Sequence, residues 1–127
     1  MPKYVPTVTR GVKPIGPYSI VAEAIGRLVF ISGQVAIDPA TGEKETGDAA
    51  AQAARIMENL GLVLDDLGMG FDNVVKTTIF LVDMAEFAAV NEVYGRYFTA
   101  KPPARSTVQV GALPGGFRVE IEAIAAL

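Results

Sequence analysis

K-P-P-A-R-S-T-V-Q-V at residues 101–110 runs into G-A-L-P-G-G-F-R-V-E-I-E-A-I-A at residues 111–125, and this stretch decides how the chain is organised. Pro102 and Pro103 fix φ and press the residue before each toward extended backbone. The chain therefore enters the β-branched segment 106–110 on a stiff lead-in. Leu113, Pro114, Gly115 and Gly116 carry turn chemistry, and residues 119–125 alternate apolar with polar once more. The expectation is a C-terminal hairpin folded about Pro114, with Arg105 at its mouth. A guanidinium held this way keeps its charge and offers a planar fork that matches a carboxylate in two parallel hydrogen bonds. The ordinary alternative is a surface arginine in a salt bridge. On the second strand Glu120 and Glu122 alternate with Val119, Ile121 and Ala123, so both carboxylates share one face. Folding about Pro114 puts them opposite or diagonal to the residues just after Arg105, where one of them could hold a water near whatever the arginine binds.

Upstream, the pattern predicts strands over 19–24 and 27–32, with Ile25-Gly26 at the turn between them and Gly33 ending the second. Residues 38–47 read as a loop. Thr46 or Asp48 caps a helix that runs to about Leu67, with Ala53, Met57, Leu60, Leu64 and Leu67 on one stripe and Gly68 just past its end. A strand follows over 74–82. Asp83, with Glu86 three residues later, opens a second helix by a variant of the capping box, and Phe87, Val90, Tyr94 and Phe98 form its inward stripe. The order β-β-α-β-α-β-β fits an α+β fold, one sheet covered on one side by both helices, with the other side hidden against symmetric copies.

Bulk composition narrows the chemistry. A chain of 127 residues, half of them hydrophobic and a fifth charged, suits one domain with a generous apolar supply. No run approaches the roughly 18 apolar residues of a membrane span, so the expectation is a soluble, intracellular and cytoplasmic protein. A net charge of -3 with singly scattered basic residues argues against nucleic acid as the main partner. The chain has neither histidine nor cysteine, which excludes Ser-His-Asp and Cys-His mechanisms and leaves no ordinary zinc ligand set. No phosphate-binding glycine motif is present. No metal and no cofactor are expected. Catalysis is left to arginine, carboxylates, hydroxyls, backbone groups and water, acting on a substrate that is already reactive.

Single residues stand out against this background. Asn91 follows Phe87 by four and precedes Tyr94 by three, which puts it on or beside the inward stripe of the second helix. Tyr18 comes after a proline-rich extended entry, and its ring is suited to a pocket wall as well as to core packing. Ser32 and Gly33, at the end of an apolar strand, offer a hydroxyl and a closely approachable backbone amide, or a plain turn.

Five strings in register carry a further signal: G-P-Y-S at 16–19, F-I-S-G-Q at 30–34, D-P-A-T-G-E at 38–43, D-N-V-V-K-T-T-I-F-L at 72–81 and the segment 101–125 already quoted. Together they resemble the reactive-intermediate deaminase family, also called RidA or YjgF-like, over nearly the whole chain, as a single domain of that type over 1–127. The resemblance implies a chorismate-mutase-like fold assembled as a homotrimer, with small-molecule sites in the clefts between subunits. It also implies hydrolysis of 2-imino or enamine acids, such as 2-iminobutanoate and 2-iminopropanoate, to 2-keto acids and ammonia. Carried over by motif, Arg105 and Glu120 would be catalytic, and Tyr18, Ser32, Gly33, Asn91, Arg105 and Thr107 would bind substrate. A trimer that binds a keto or amino acid without turnover is the alternative. Two positions depart from the pattern. Ile20 stands where many members have glutamine, and Thr107 where bacterial deaminases often have cysteine.

Overall fold

The computed structural model describes residues 2–127. Along the chain run β1 (Lys3–Tyr4), β2 (Glu23–Ala24), β3 (Leu28–Gln34), α1 (Ala49–Asp66), β4 (Val74–Leu81), α2 (Phe87–Gly95), β5 (Ala104–Gln109) and β6 (Val119–Ala126). β1 and β2 form a small antiparallel pair, while the main sheet has the order β3-β6-β4-β5. β4 runs parallel to β5 and antiparallel to β6, which in turn is antiparallel to β3. The sheet is therefore mixed, and β3 and β5 are its two edges.

α1 is where the periodicity places it. Asp48 is the cap, accepting the Ala51 N–H at 2.9 Å, and Gly68 adopts φ 72° just beyond the C-terminus, a left-handed value that favours glycine. Ala53, Met57, Leu60 and Leu64 are fully buried against Ile79, Leu81, Val119, Ile121, Ala123 and Ala125 of the sheet, in one cluster with Val90, Val93 and Tyr94 of α2. Both helices thus share one face of the sheet. On the other face Phe30 is 71% exposed and Leu28 47%, so a row of large apolar side chains lies open in the protomer.

Three expectations need correction. Residues 19–24 are not a strand paired with β3: only Glu23–Ala24 is extended, and it pairs with Lys3–Tyr4. Strand β3 does not end at Gly33 but continues to Gln34 through an irregularity. Ile31 faces Ala123 and Gln34 faces Ile121, three steps on β3 against two on β6, which is one extra residue and hence a β-bulge. The C-terminal strands do not form a hairpin, because β4 lies between β5 and β6 and pairs with both. The nine residues 110–118 are long enough to step over one strand, whereas hairpin loops of two to five residues force adjacency.

The start of α2 also differs in detail. Asp83 accepts the Ala85 N–H and begins a short 3-10 turn over Met84–Glu86, but Glu86 does not reach back to complete a capping box. Its carboxylate instead accepts the Ala49 N–H at 3.0 Å and two hydrogen bonds from Arg118 Nε, at 2.9 and 3.2 Å. A residue expected to serve its own helix therefore ties the start of α1 to the start of β6.

Candidate functional site

Arg105 is the second residue of β5, paired in register with Thr77 of β4, which faces Ala123 of β6. Paired residues project to the same side, and Thr77 and Ala123 are buried under the helices, so Arg105 points to the helical face. There α2 meets it. Nη1 of Arg105 donates to Oδ1 of Asn91 at 2.6 Å, and the guanidinium carbon lies 5.2 Å from the ring centre of Tyr94, 5.3 Å from Tyr18 and 5.8 Å from Phe87. Phe87, Asn91 and Tyr94 follow at i, i+4 and i+7, so one stripe of α2 builds most of this cage.

Tyr18 completes the cage from the N-terminal segment. Its position follows from close packing: a Cβ at Gly95, one turn beyond Asn91, would lie 3.2 Å from Pro17 Cβ, and one at Gly16 would lie 3.5 Å from Asn91 Nδ2. Ser19 is pinned in turn, its N–H donating to Pro103 O at 3.0 Å beside a parallel bridge to Ala104. The G-P-Y-S string thus lies along the lead-in to β5, and the helix face that receives it is smooth because Gly95 has no side chain.

The cation is partly buried, and desolvation lowers the guanidinium's pKa from its ordinary value, opposed by the tyrosine oxygens of Tyr94 and Tyr18. It remains charged across the working pH range. Among the described residues the ion pairs are Arg96–Glu92 and Arg118–Glu86, and neither includes Arg105. Nε of Arg105 and Oγ1 of Thr107, two residues on and on the same face, are both buried without an intramolecular partner. Orphaned buried polar atoms are uncommon enough to call for a reason, and here two adjoin one unpaired cation.

Tyr94 carries its own titration. Burial pushes its hydroxyl up to about 12, against the opposing effects of its 2.7 Å hydrogen bond with Thr77 Oγ1 and of the Arg105 charge. A phenol whose folded value lies above its unfolded value near 10 contributes stability that is complete below pH ~10 and lost as the pH rises toward ~12. Two units correspond to about 2–3 kcal/mol. Tyr94→Phe should cost about 1–3 kcal/mol at neutral pH by leaving Thr77 unpaired, and should make the alkaline decline shallower. Urea midpoints from pH 7 to 11.5 test this; an unchanged alkaline slope would assign the decline elsewhere, Tyr97 being raised as well by burial and by Glu58.

Glu120 and Glu122 do not lie beside Arg105 within the protomer. Glu120 is paired with Phe80, three residues along β4 from Thr77, and an odd offset puts its side chain on the opposite face of the sheet. Glu120 is partly buried and Glu122 exposed, which separates two residues that alternation alone left equivalent. Ser32 is exposed on β3, where it joins Phe30, Lys76, Thr78, Glu122 and Ile124 around an open groove of about 260 Å³. The sequence candidates thus divide into two groups. Tyr18, Asn91, Arg105 and Thr107 gather at the β5 edge; Ser32 and Gly33 lie on β3, about 14 Å away at three strand spacings, and Glu120 lies on β6, about 10 Å from β5 and on the other face of the sheet. Phe87 and Tyr94 were read from the sequence only as core, although their spacing about Asn91 was the available sign of a shared stripe.

The family model described as Endoribonuclease L-PSP matches residues 8–127. The chain belongs to this family, the RidA/YjgF/L-PSP group. Among curated relatives, protein DfrA of Myxococcus xanthus is 59% identical over 114 residues, covering 89% of this chain and 87% of that protein. The mouse 2-iminobutanoate/2-iminopropanoate deaminase is 47% identical over 119 residues, covering 94% of this chain and 87% of the relative. The crystal structure of the Escherichia coli YjgF product superposes with a TM-score of 0.75 at 40% identity, covering 89% of this chain and 90% of the other. The α+β architecture with a mixed sheet and two helices is that of the RidA/YjgF structures. Among the described residues no helix is long and apolar enough to cross a membrane.

Proposed function

We propose that this chain hydrolyses 2-imino acids and their enamine tautomers to 2-keto acids and ammonia, at sites shared between copies of a homotrimer. One observation carries the reading: a half-buried guanidinium at a sheet edge, oriented by Asn91 and three aromatic rings, with no carboxylate partner among the described residues. Such a group is prepared for an anionic ligand. The name of the mouse relative supplies the substrate class. Strand order and register support sharing, since Arg105 is on edge strand β5, Ser32 and Gly33 are on the opposite edge strand β3, Glu120 is on the adjoining inner strand β6 on the other face, and a second copy docked edge to edge would bring unlike edges together.

The reaction asks little of the protein. Arg105 takes the substrate carboxylate and fixes the C=N carbon beside one water. The carboxylate of Glu120 from the adjoining copy accepts a proton as the water oxygen bonds to carbon and the C=N π pair moves to nitrogen. Glu120 returns that proton to the amine and takes up the hydroxyl proton as the C–N bond breaks, so the resulting carbinolamine collapses to C=O and ammonia leaves. Thr107 and Ser32 offer hydroxyls to the developing amine. A protonated imine is already electrophilic, which suits a chain without histidine, thiol or metal-ligand set.

The test generates 2-iminopropanoate or 2-iminobutanoate in place with an amino-acid oxidase and follows keto-acid release. Acceleration over buffer that scales with protein concentration is expected. A rate equal to buffer, with 2-oxobutanoate still bound, would replace the enzyme by a ligand-binding trimer. Ribonuclease action, which the family model's description suggests, sits poorly with a net charge of -3 and no histidine. RNA cleavage should accordingly fall away on further purification.

A further inference from the structure

Glu120 belongs to β6, an inner strand, and a carboxylate standing upright above its own strand would not reach the sheet edge where a neighbouring copy would present Arg105. The structure shows how it gets there. A Cβ built at Gly33 would lie 2.7 Å from Glu120 Cδ, 2.9 Å from Cγ and closer still to Oε2. The carboxyl end of Glu120 therefore leans diagonally across the ladder and occupies the space a side chain at position 33 would take, over edge strand β3. Gly33 lies in the bulge between Ile31 and Gln34, the local irregularity that sets its Cα beneath the leaning side chain.

The backbone at Gly33 does not have a positive φ, so the chain's conformation does not require glycine there. The three nearest atoms to the added Cβ all belong to the flexible end of Glu120. A methyl group at 33 would thus be admitted by swinging the carboxylate aside, leaving the fold in place. We propose that Gly33 is a positioning residue whose missing side chain lets Glu120 extend over the edge strand into the shared site. This differs from the role the motif implies, in which Gly33 offers its backbone to substrate, and it rests on the reading of Glu120 as the group that handles water.

The test measures turnover of enzymatically generated 2-iminobutanoate near saturation, 2-oxobutanoate affinity by calorimetry and thermal midpoint, for Gly33→Ala, Glu120→Ala, Glu120→Asp and the double variants. Misplacing a reacting group by about 1 Å can cost on the order of a hundredfold. Gly33→Ala should therefore lower kcat roughly tenfold to a hundredfold while leaving ligand affinity and thermal midpoint near the parent's. In the Glu120→Ala background the same change should do nothing more, since no carboxylate remains to be displaced. Aspartate at 120, one methylene shorter, should lower kcat by itself and shrink the added cost of Gly33→Ala. Parental kcat in Gly33→Ala, or an equal loss from it with and without Glu120, overturns the role of Gly33 alone. Parental kcat in Glu120→Ala removes the underlying reading and this inference with it. Should Gly33→Ala not be recovered folded, Glu120→Asp still tests the reach, and parental kcat in that variant would count against it.

Discussion

Arg105→Ala is expected to abolish keto-acid binding and imine turnover together while leaving the protomer folded. The guanidinium sits among the rings of Tyr18, Phe87 and Tyr94, and the amide oxygen of Asn91 accepts from it and orients it. Removing one partner of a desolvated charge pair costs about 2–5 kcal/mol, roughly thirtyfold to several thousandfold in Kd. Turnover should fall by at least that factor, because the clamp also sets the distance between the imine carbon and water. Stability moves the other way, or hardly at all. Burial disfavours the charged guanidinium, so the fold holds Arg105 at some cost, as sites prepared for a ligand commonly do. Arg105→Lys keeps the charge and loses the planar fork, and Asn91 then faces a point donor; intermediate binding with poor turnover is expected. Calorimetry with 2-oxobutanoate and thermal midpoints decide the matter. Parental affinity in Arg105→Ala would mean that the anion is held elsewhere.

The helices were legible because burial on one side imposes a 3.6-residue period, and α1 has it with a capping aspartate at one end and Gly68 at the other. β4 was legible because Thr77, Ile79 and Leu81 alternate along one buried face. Strand partners were not, since alternation states which residues share a face and is silent on which strand lies alongside. Pro114, Gly115 and Gly116 do make a turn, with φ of 76° and 74° at the two glycines, yet the same chemistry serves a tight hairpin and a step over β4 equally well. The motif strings contain Arg105, Tyr18 and Thr107, the spacing along the second helix singled out Asn91, and these four lie together. What no string could state is that Glu120 lies on the far side of the sheet from Arg105. That follows from an odd register offset between Thr77 and Phe80, a property of pairing.

That separation makes mixed assemblies informative. Arg105→Ala and Glu120→Ala proteins, each purified alone, should show little turnover: the first has no clamp, the second binds ligand but does not handle water. If every site takes Arg105 from one copy and Glu120 from the next, unfolding and refolding the two variants together at equal amounts creates sites with both groups intact. With random assembly a site is complete when one neighbour has kept its arginine and the other its glutamate. The probability is one half times one half, so about a quarter of parental activity should return from two crippled proteins. A site built within one protomer gives no recovery at any mixing ratio, because each chain lacks one group. Register separates the two groups in one chain, with Arg105 on edge strand β5 facing the helices and Glu120 on inner strand β6 facing the other side of the sheet. Mixing without denaturation should return activity only as fast as subunits exchange, and a double variant mixed with either single variant should return none. Absence of complementation in co-refolded, correctly sized trimers would rule out Arg105 and Glu120 as partners across an interface and leave the arginine to act with groups from its own edge, Thr107 foremost.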